Sequence, residues 1–324
     1  MIWTVSTPST KTGVFVPILT ISTFDKRGVP TVTRFFSRHK RASKLTPYLF
    51  ILPFLLFYVV FFFYPAIYSL ILSFFSYKGY GSARFIGLQN FVNLFTYGTM
   101  WQSLANTLFY FVFSFVPVMV LSFLLALAVR SKFVRRFQFL YKPLLFLPQI
   151  CAVVATSLSF KIIFGERVGV INQLLGTSIP FLSDLELMKW PVVILITWRA
   201  IGWYFIIYLS GLTTIGEDVL EAATIDGASA WQTVFHITIP LMRPTFMLAF
   251  ITNAIGSLKL YTEPNLLLAQ NYDPPAQVAP YVNLIVNNMQ GGNFGMACAA
   301  GWFLVLVILA LTLIQLKFFG GDDT

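Results

Sequence analysis

Residues 48–72 read YLFILPFLLFYVVFFFYPAIYSLIL, and no charged residue or histidine interrupts the chain from Leu45 to Tyr77. A bilayer-spanning helix needs about 20 consecutive apolar residues. Backbone N–H and C=O groups in lipid must pair within their own segment, so a run this long folds as a helix. Five further runs follow: Leu104–Val129, Leu144–Phe164, Val192–Leu212 with Arg199 inside it, Thr245–Tyr261 with Lys259 inside it, and Ala297–Phe318. The expected fold class is an all-α integral membrane protein with six transmembrane helices. A membrane β-barrel is excluded by run length, because its strands alternate in polarity over about 10 residues.

Composition agrees. The 324 residues are 57% hydrophobic and 10% charged, with mean hydropathy +0.77. A soluble domain carries about 25% charged residues to cover its water-facing surface. The net charge of +10 does not point to nucleic acid, since its placement follows topology. Eight Lys and Arg precede residue 45, and five fall between Arg130 and Lys142. With the basic N-terminus inside, 15 basic residues are cytoplasmic: those two groups with Arg243 and Lys317. Five are external (Lys78, Arg84, Lys161, Arg167 and Lys189). That asymmetry puts both termini in the cytoplasm.

Two segments are expected: a cytoplasmic tail over 1–44, partly on the membrane surface, and a transmembrane domain over 45–320. The tail does not read as a signal peptide, because its first basic residue is Lys11 and its apolar stretch is short and broken by Pro17. Cys151 and Cys298 sit in separate apolar runs with no CxxC spacing and read as small buried hydrophobes. No metal site is expected.

The cytoplasmic segment 213–244 differs from the other loops. Glu217, Asp218 and Glu221 stand in its first turns, where a helix dipole favours negative charge. Small residues follow at Ala222, Ala223, Gly227 and Ala228. A short helix with so little bulk lets another protein's backbone approach closely. An ordinary amphipathic connector would also fit these residues.

Glu221-Ala222-Ala223, Asp226-Gly227-Ala228, Ile237, Ile239 and Pro240, in this order and spacing, resemble the signature (EAA) loop of ABC importer permeases. Phe85-Ile86-Gly87-Leu88-Gln89-Asn90-Phe91, Phe146-Leu147-Pro148, Trp198-Arg199 and Gly211-Leu212 are similar to segments of the carbohydrate-uptake branch, which includes the maltose and alginate importers. The resemblance covers roughly residues 45–318. Ile239 departs from the more common Leu, and 165–191 is too short for the large external domain of the maltose importer's bigger permease. The resemblance implies a type I permease fold in a bacterial inner membrane. The permease would form half of a translocation path for sugars or oligosaccharides, with an acidic oligosaccharide such as alginate one option. Implied partners are a second permease subunit, a cytoplasmic ATPase dimer and an external solute-binding protein. Glu221, Ala222, Ala223, Asp226 and Gly227 would form a coupling helix seated in the ATPase. No GxxxxGK[ST] motif occurs, so ATP and Mg would be held by the partner, with no cofactor and no catalytic residue in this chain.

Candidate path residues are Arg199, Tyr204, Asn253, Ser257 and Lys259. Arg199 lies roughly 13 Å from the outer end of its helix at 1.5 Å per residue. A charge at that depth faces the bundle or water rather than lipid. Lys259 stands four residues before Glu263, a spacing that predicts an ion pair on one helix face. Asn253, Gly256, Ser257 and Leu260 share one face of the fifth span, which reads as a pathway or helix-contact face. Arg199 and Lys259 could instead bind the partner permease. A competing reading is a secondary transporter driven by an ion gradient, which should show paired intramembrane carboxylates. The first four spans contain none.

Overall fold

The computed structural model describes residues 21–24, 30–33, 46–130, 138–269 and 273–319. The chain divides into two units, Met1–Pro65 and Ala66–Thr324, each described by itself. The N-terminal unit contains an antiparallel pair, β1 (Ile21–Phe24) and β2 (Pro30–Thr33), in register Ile21↔Thr33. The remainder of the expected tail lies outside the described residues, as does the basic stretch 131–137.

The first span, α1 (Tyr48–Leu72), runs as one apolar helix. A π-turn over Val59–Phe63 interrupts its α-geometry, and the Tyr64 N–H donates back to Val59 O. Proline explains the register change. Pro65 has no N–H to donate to Phe61 O, so the preceding residue bonds one position further back.

After the short pair β3 (Phe75–Ser76) and β4 (Arg84–Phe85) come α2 (Gln89–Thr96) and the long α3 (Gly98–Arg130). A bent pair follows, α4 (Gln138–Ile150) and α5 (Val153–Ile163), then α6 (Val170–Leu175) and α7 (Lys189–Thr213). Then come α8 (Glu217–Ile225) and α9 (Ala230–Leu241). The chain ends with α10 (Arg243–Leu258), α11 (Thr262–Leu268), α12 (Tyr281–Gln290) and α13 (Phe294–Phe319).

Four helices (α1, α3, α7, α13) are long and apolar enough to cross a membrane unbroken. Two bent pairs bring the number of spans to six. The expected third and fifth spans are therefore not straight rods. Ala152 is extended (φ −57°, ψ 132°) between α4 and α5, which meet at 93°. The fifth helix begins at Arg243, follows α9 at 71°, and stops at Leu258 rather than reaching Tyr261.

The bundle is organised by one stripe of α3. Ser103, Thr107, Tyr110, Ser114, Val118, Ser122 and Ala126 recur at helical spacing and are all buried. Small residues there let neighbouring helices come close, which is how membrane helices gain packing contact. Ser122 Oγ donates to Ile201 O (2.9 Å), fastening α3 to α7. Toward the N-terminal end of α3, Asn106 Nδ2 donates to Ala279 O, Tyr110 OH donates to Val278 O, and Thr107 Oγ1 accepts from the Tyr281 N–H. These three bonds hold the chain between α11 and α12 against α3. Three apolar clusters fill the interior among the described residues, one around Tyr110, Met188, Val192 and Leu267, one around Met119, Phe205, Tyr208 and Met242, and one around Leu94, Met100, Tyr281 and Leu304. α7 approaches α4 at Gly202, where a Cβ would collide with Leu145 O.

Candidate coupling segment and intramembrane cavity

The coupling segment is a self-capped pair of short helices. Gly216 opens α8 with extended backbone, and Glu217 and Asp218 occupy its first turn. The helix ends in a paired hydrogen-bond motif: the Ala228 N–H donates to Ala223 O (3.0 Å) and the Gly227 N–H to Thr224 O (3.1 Å). That closure requires a left-handed residue at 227. Gly227 supplies it with φ +77°, a conformation that costs other L-residues energy. Two residues on, Ser229 caps α9 with a reciprocal capping box. Its Oγ accepts from the Gln232 N–H, and Gln232 Oε1 accepts from the Ser229 N–H (2.7 Å). Both facing helix ends are thus satisfied within the segment. A π-turn over Thr233–Thr238 precedes Pro240, with the Ile239 N–H donating to Val234 O. Pro240 creates the same register shift as Pro65.

Ala223 is buried, and Leu220 packs on the cytoplasmic cluster, so α8 is anchored by one face. The other face is open. Glu221, Ala222, Asp226 and Gly227 are exposed, and no atom within 4 Å would meet a Cβ at Gly227. Glu221 and Asp226 make no ion pair among the described residues. Exposed apolar groups join them: Ile225 (86% exposed), Trp231 (69%) and Phe235, the last two stacked at 5.8 Å. The sequence reading passed over these three. Their signal was apolar bulk in a loop outside every span.

The expected path residues divide. Arg199, Tyr204, Asn253 and Ser257 line one cavity of about 260 Å³, and Lys259 does not. Gln149, Ser114 and Glu263, which were not expected there, complete its polar wall. Arg199 is 8% exposed, and its Nη1 donates to Glu263 Oε1 at 2.7 Å. Its Nε is buried with no hydrogen-bond partner among the described residues. Ser257 Oγ donates to Asn253 Oδ1 (3.4 Å). The predicted Lys259–Glu263 pair is replaced by Arg199–Glu263. Because α10 ends at Leu258, Lys259 is its exposed C-cap, and four-residue helical spacing does not carry over to Glu263 on α11. Leu260 still lines the cavity, but from beyond the helix end. The close approach at Gly202 brings the last turn of α4, with Gln149, to the same wall.

Known proteins are similar to this chain over most of its length. The lactose transport system permease protein LacF of Rhizobium radiobacter is 31% identical over 285 residues, covering 85% of this chain and 94% of that one. The arabinooligosaccharides transport system permease protein AraP of Bacillus subtilis is 30% identical over 289 residues, covering 86% and 90%. A chain in a crystal structure of a bacterial ABC transporter involved in the import of the acidic polysaccharide alginate superposes with a TM-score of 0.75. It is 23% identical and covers 86% of this chain and 96% of that one, a likeness of fold. Residues 101–317 match the family described as the binding-protein-dependent transport system inner membrane component. The matched stretch runs from α3 through the coupling segment to the last span, and the chain belongs to that family of integral membrane permeases.

Proposed function

We propose that this chain is one permease subunit of an ATP-driven importer of sugars or oligosaccharides in a bacterial inner membrane. The observation that carries this reading is the coupling segment. It is a rigid, self-capped pair of helices on the cytoplasmic side that presents small, acidic and apolar groups outward. Such a surface fits a cleft on a soluble ATPase subunit, where ATP and Mg would be bound. Glu221 and Asp226 would face basic groups there, and Ile225, Trp231 and Phe235 would supply apolar contact. A second permease would complete the path, and an external solute-binding protein would deliver the solute. The names of the relatives support the substrate class, since they include lactose and arabino-oligosaccharides.

The intramembrane cavity narrows the class further. Arg199 is neutralised by Glu263, so the cavity offers amide, hydroxyl and phenol groups with no net charge. Groups that both donate and accept hydrogen bonds suit sugar hydroxyls, which do the same. An uncharged sugar unit fits this wall better than a uronate, which would need Arg199 free.

The test is reconstitution of the complete importer with its binding protein. Lactose, arabinotriose and trigalacturonate are offered in turn, and ATP hydrolysis and uptake are measured together. Sugar-stimulated hydrolysis coupled to uptake is the expected result. Uptake that follows an ion gradient without ATP would overturn the proposal.

A further inference from the structure

A second and larger polar cavity, of about 440 Å³, lies among the external segments of the unit Ala66–Thr324. Small-molecule pockets span about 300–1,000 Å³, so this one is of useful size. Its polar wall comes from Tyr77 after β3, Asn93 on α2, Tyr97 and Thr99 at the start of α3, Asn288 on α12, and Asn293 before α13. Leu94 and Met296 give it an apolar floor.

The frame of the cavity is fixed. Buried Asn90 donates from Nδ2 to Ser73 O (2.8 Å) and to Phe75 O (2.9 Å). Gly295 lies against Phe75 O so closely that a Cβ could not fit. The lining groups are less engaged. Among the described residues no hydrogen bond takes up the hydroxyls of Tyr77, Tyr97 and Thr99 or the side-chain amide of Asn293. The intramembrane cavity differs, because its one cation is already held by Glu263.

The chemistry of the wall selects a ligand. Lys78 is the one charged residue lining it, and no carboxylate does. Hard metal cations need several oxygen ligands, usually including carboxylates, and would be repelled by Lys78. An amino-acid zwitterion would present its ammonium group to a wall without an acid. A polyhydroxylated ring meets partners everywhere: amides and hydroxyls that donate and accept, apolar side chains for its C–H faces, and two tyrosine rings at its edge.

We propose that this cavity is an external subsite for one sugar unit, distinct from the intramembrane cavity, which holds solute at the outer face of the permease. The proposal rests on the sugar-importer reading above and adds a position to it.

Its test is cysteine protection in the complete, detergent-solubilised importer. Thr99→Cys is placed in a Cys151→Ser, Cys298→Ser background, and its labelling by a maleimide is timed with lactose, arabinotriose or trigalacturonate present. Labelling should slow as 1 + [L]/Kd, about fivefold at four times Kd, with at least one of the three sugars. Asn93→Ala with Asn288→Ala should abolish the protection. Tyr80→Cys, exposed and off the cavity wall, should label at the same rate throughout. The subsite is overturned if no sugar protects Thr99→Cys, if protection survives the double alanine change, or if Tyr80→Cys is slowed equally. Sugar-stimulated ATP hydrolysis without protection removes the subsite and leaves the importer. Protection without stimulation keeps the subsite and removes the importer.

Discussion

The coupling segment and the intramembrane cavity use charge in opposite ways. On α8 and the turn after it, Glu221 and Asp226 stand exposed with no ion-pair partner among the described residues, while the backbone around them is closed by its own caps. In the cavity Arg199 and Glu263 are withdrawn from water and paired at 2.7 Å. Under the proposed function, the α8 surface leaves its charges unmatched because the ATPase would supply the match. The cavity wall cancels its charges internally, because an unmatched charge in a membrane costs several kcal/mol, and under the proposed function that leaves it suited to an uncharged solute. The two regions therefore predict different kinds of damage.

The largest effect is expected at the buried pair. Glu263→Ala strands the buried Arg199 guanidinium, and breaking a buried pair costs about 3–5 kcal/mol. Thermal unfolding of the purified permease should fall sharply. The double change Arg199→Met, Glu263→Leu should recover most of the loss, since apolar replacement of a buried pair is often neutral or better. If the single and double variants unfold alike, the pair is not buried in the assembled protein and the contrast drawn above breaks. Next comes Gly202→Leu. It drives α7 away from the α4 backbone, and overpacking of this kind costs about 1–3 kcal/mol. Because Gln149 sits on the displaced turn, sugar uptake should fall further than stability does. Equal loss of both would separate Gln149 from the path.

How much of this was legible follows from what each feature depends on. The first span was read to the residue, because lipid exposure writes an uninterrupted apolar run into the sequence. The short helix α8 was legible because its signals are local: acids at the start, small residues after them, and a glycine where the helix turns left-handed. The bends were harder. Hydropathy has no term for direction, and Leu144–Phe164 remains apolar across the 93° corner at Ala152. The partner of Lys259 was assigned by spacing along a helix that in fact ends at Leu258, so Lys259 fell outside the cavity and Glu263 pairs with Arg199 instead. The external polar cavity draws on five separated segments, and no window of sequence contains it.

A smaller effect separates backbone from bulk at Gly227. The left-handed conformation costs an L-residue about 1–2 kcal/mol, and asparagine tolerates it best. The chain itself leaves the space beside Gly227 empty. Gly227→Asn should therefore keep most sugar-stimulated ATP hydrolysis and Gly227→Ala should lower it modestly. Gly227→Phe should lose most of it, by collision with the ATPase. Equal loss in the alanine and phenylalanine variants would show that only backbone strain matters there.

The smallest effect is expected at Glu221. Its side chain is exposed, and no partner in the described residues holds it. If the ATPase matches it with a basic group at the wet rim of the contact, the pair contributes about 0.2–1 kcal/mol. Glu221→Gln keeps the size and hydrogen-bonding reach of the side chain and removes only the charge. Docking should weaken by less than about fivefold, the factor that 1 kcal/mol sets. The loss should shrink further as salt is raised, because screening at about 0.15 M already limits exposed pairs to about 8 Å. Stimulated hydrolysis measured against ATPase concentration, at low and high ionic strength, reads both quantities. A loss larger than that of Gly227→Phe and insensitive to salt would place Glu221 in a dry, enclosed pair. The coupling segment would then resemble the cavity in its use of charge, and the contrast between the two regions would fail.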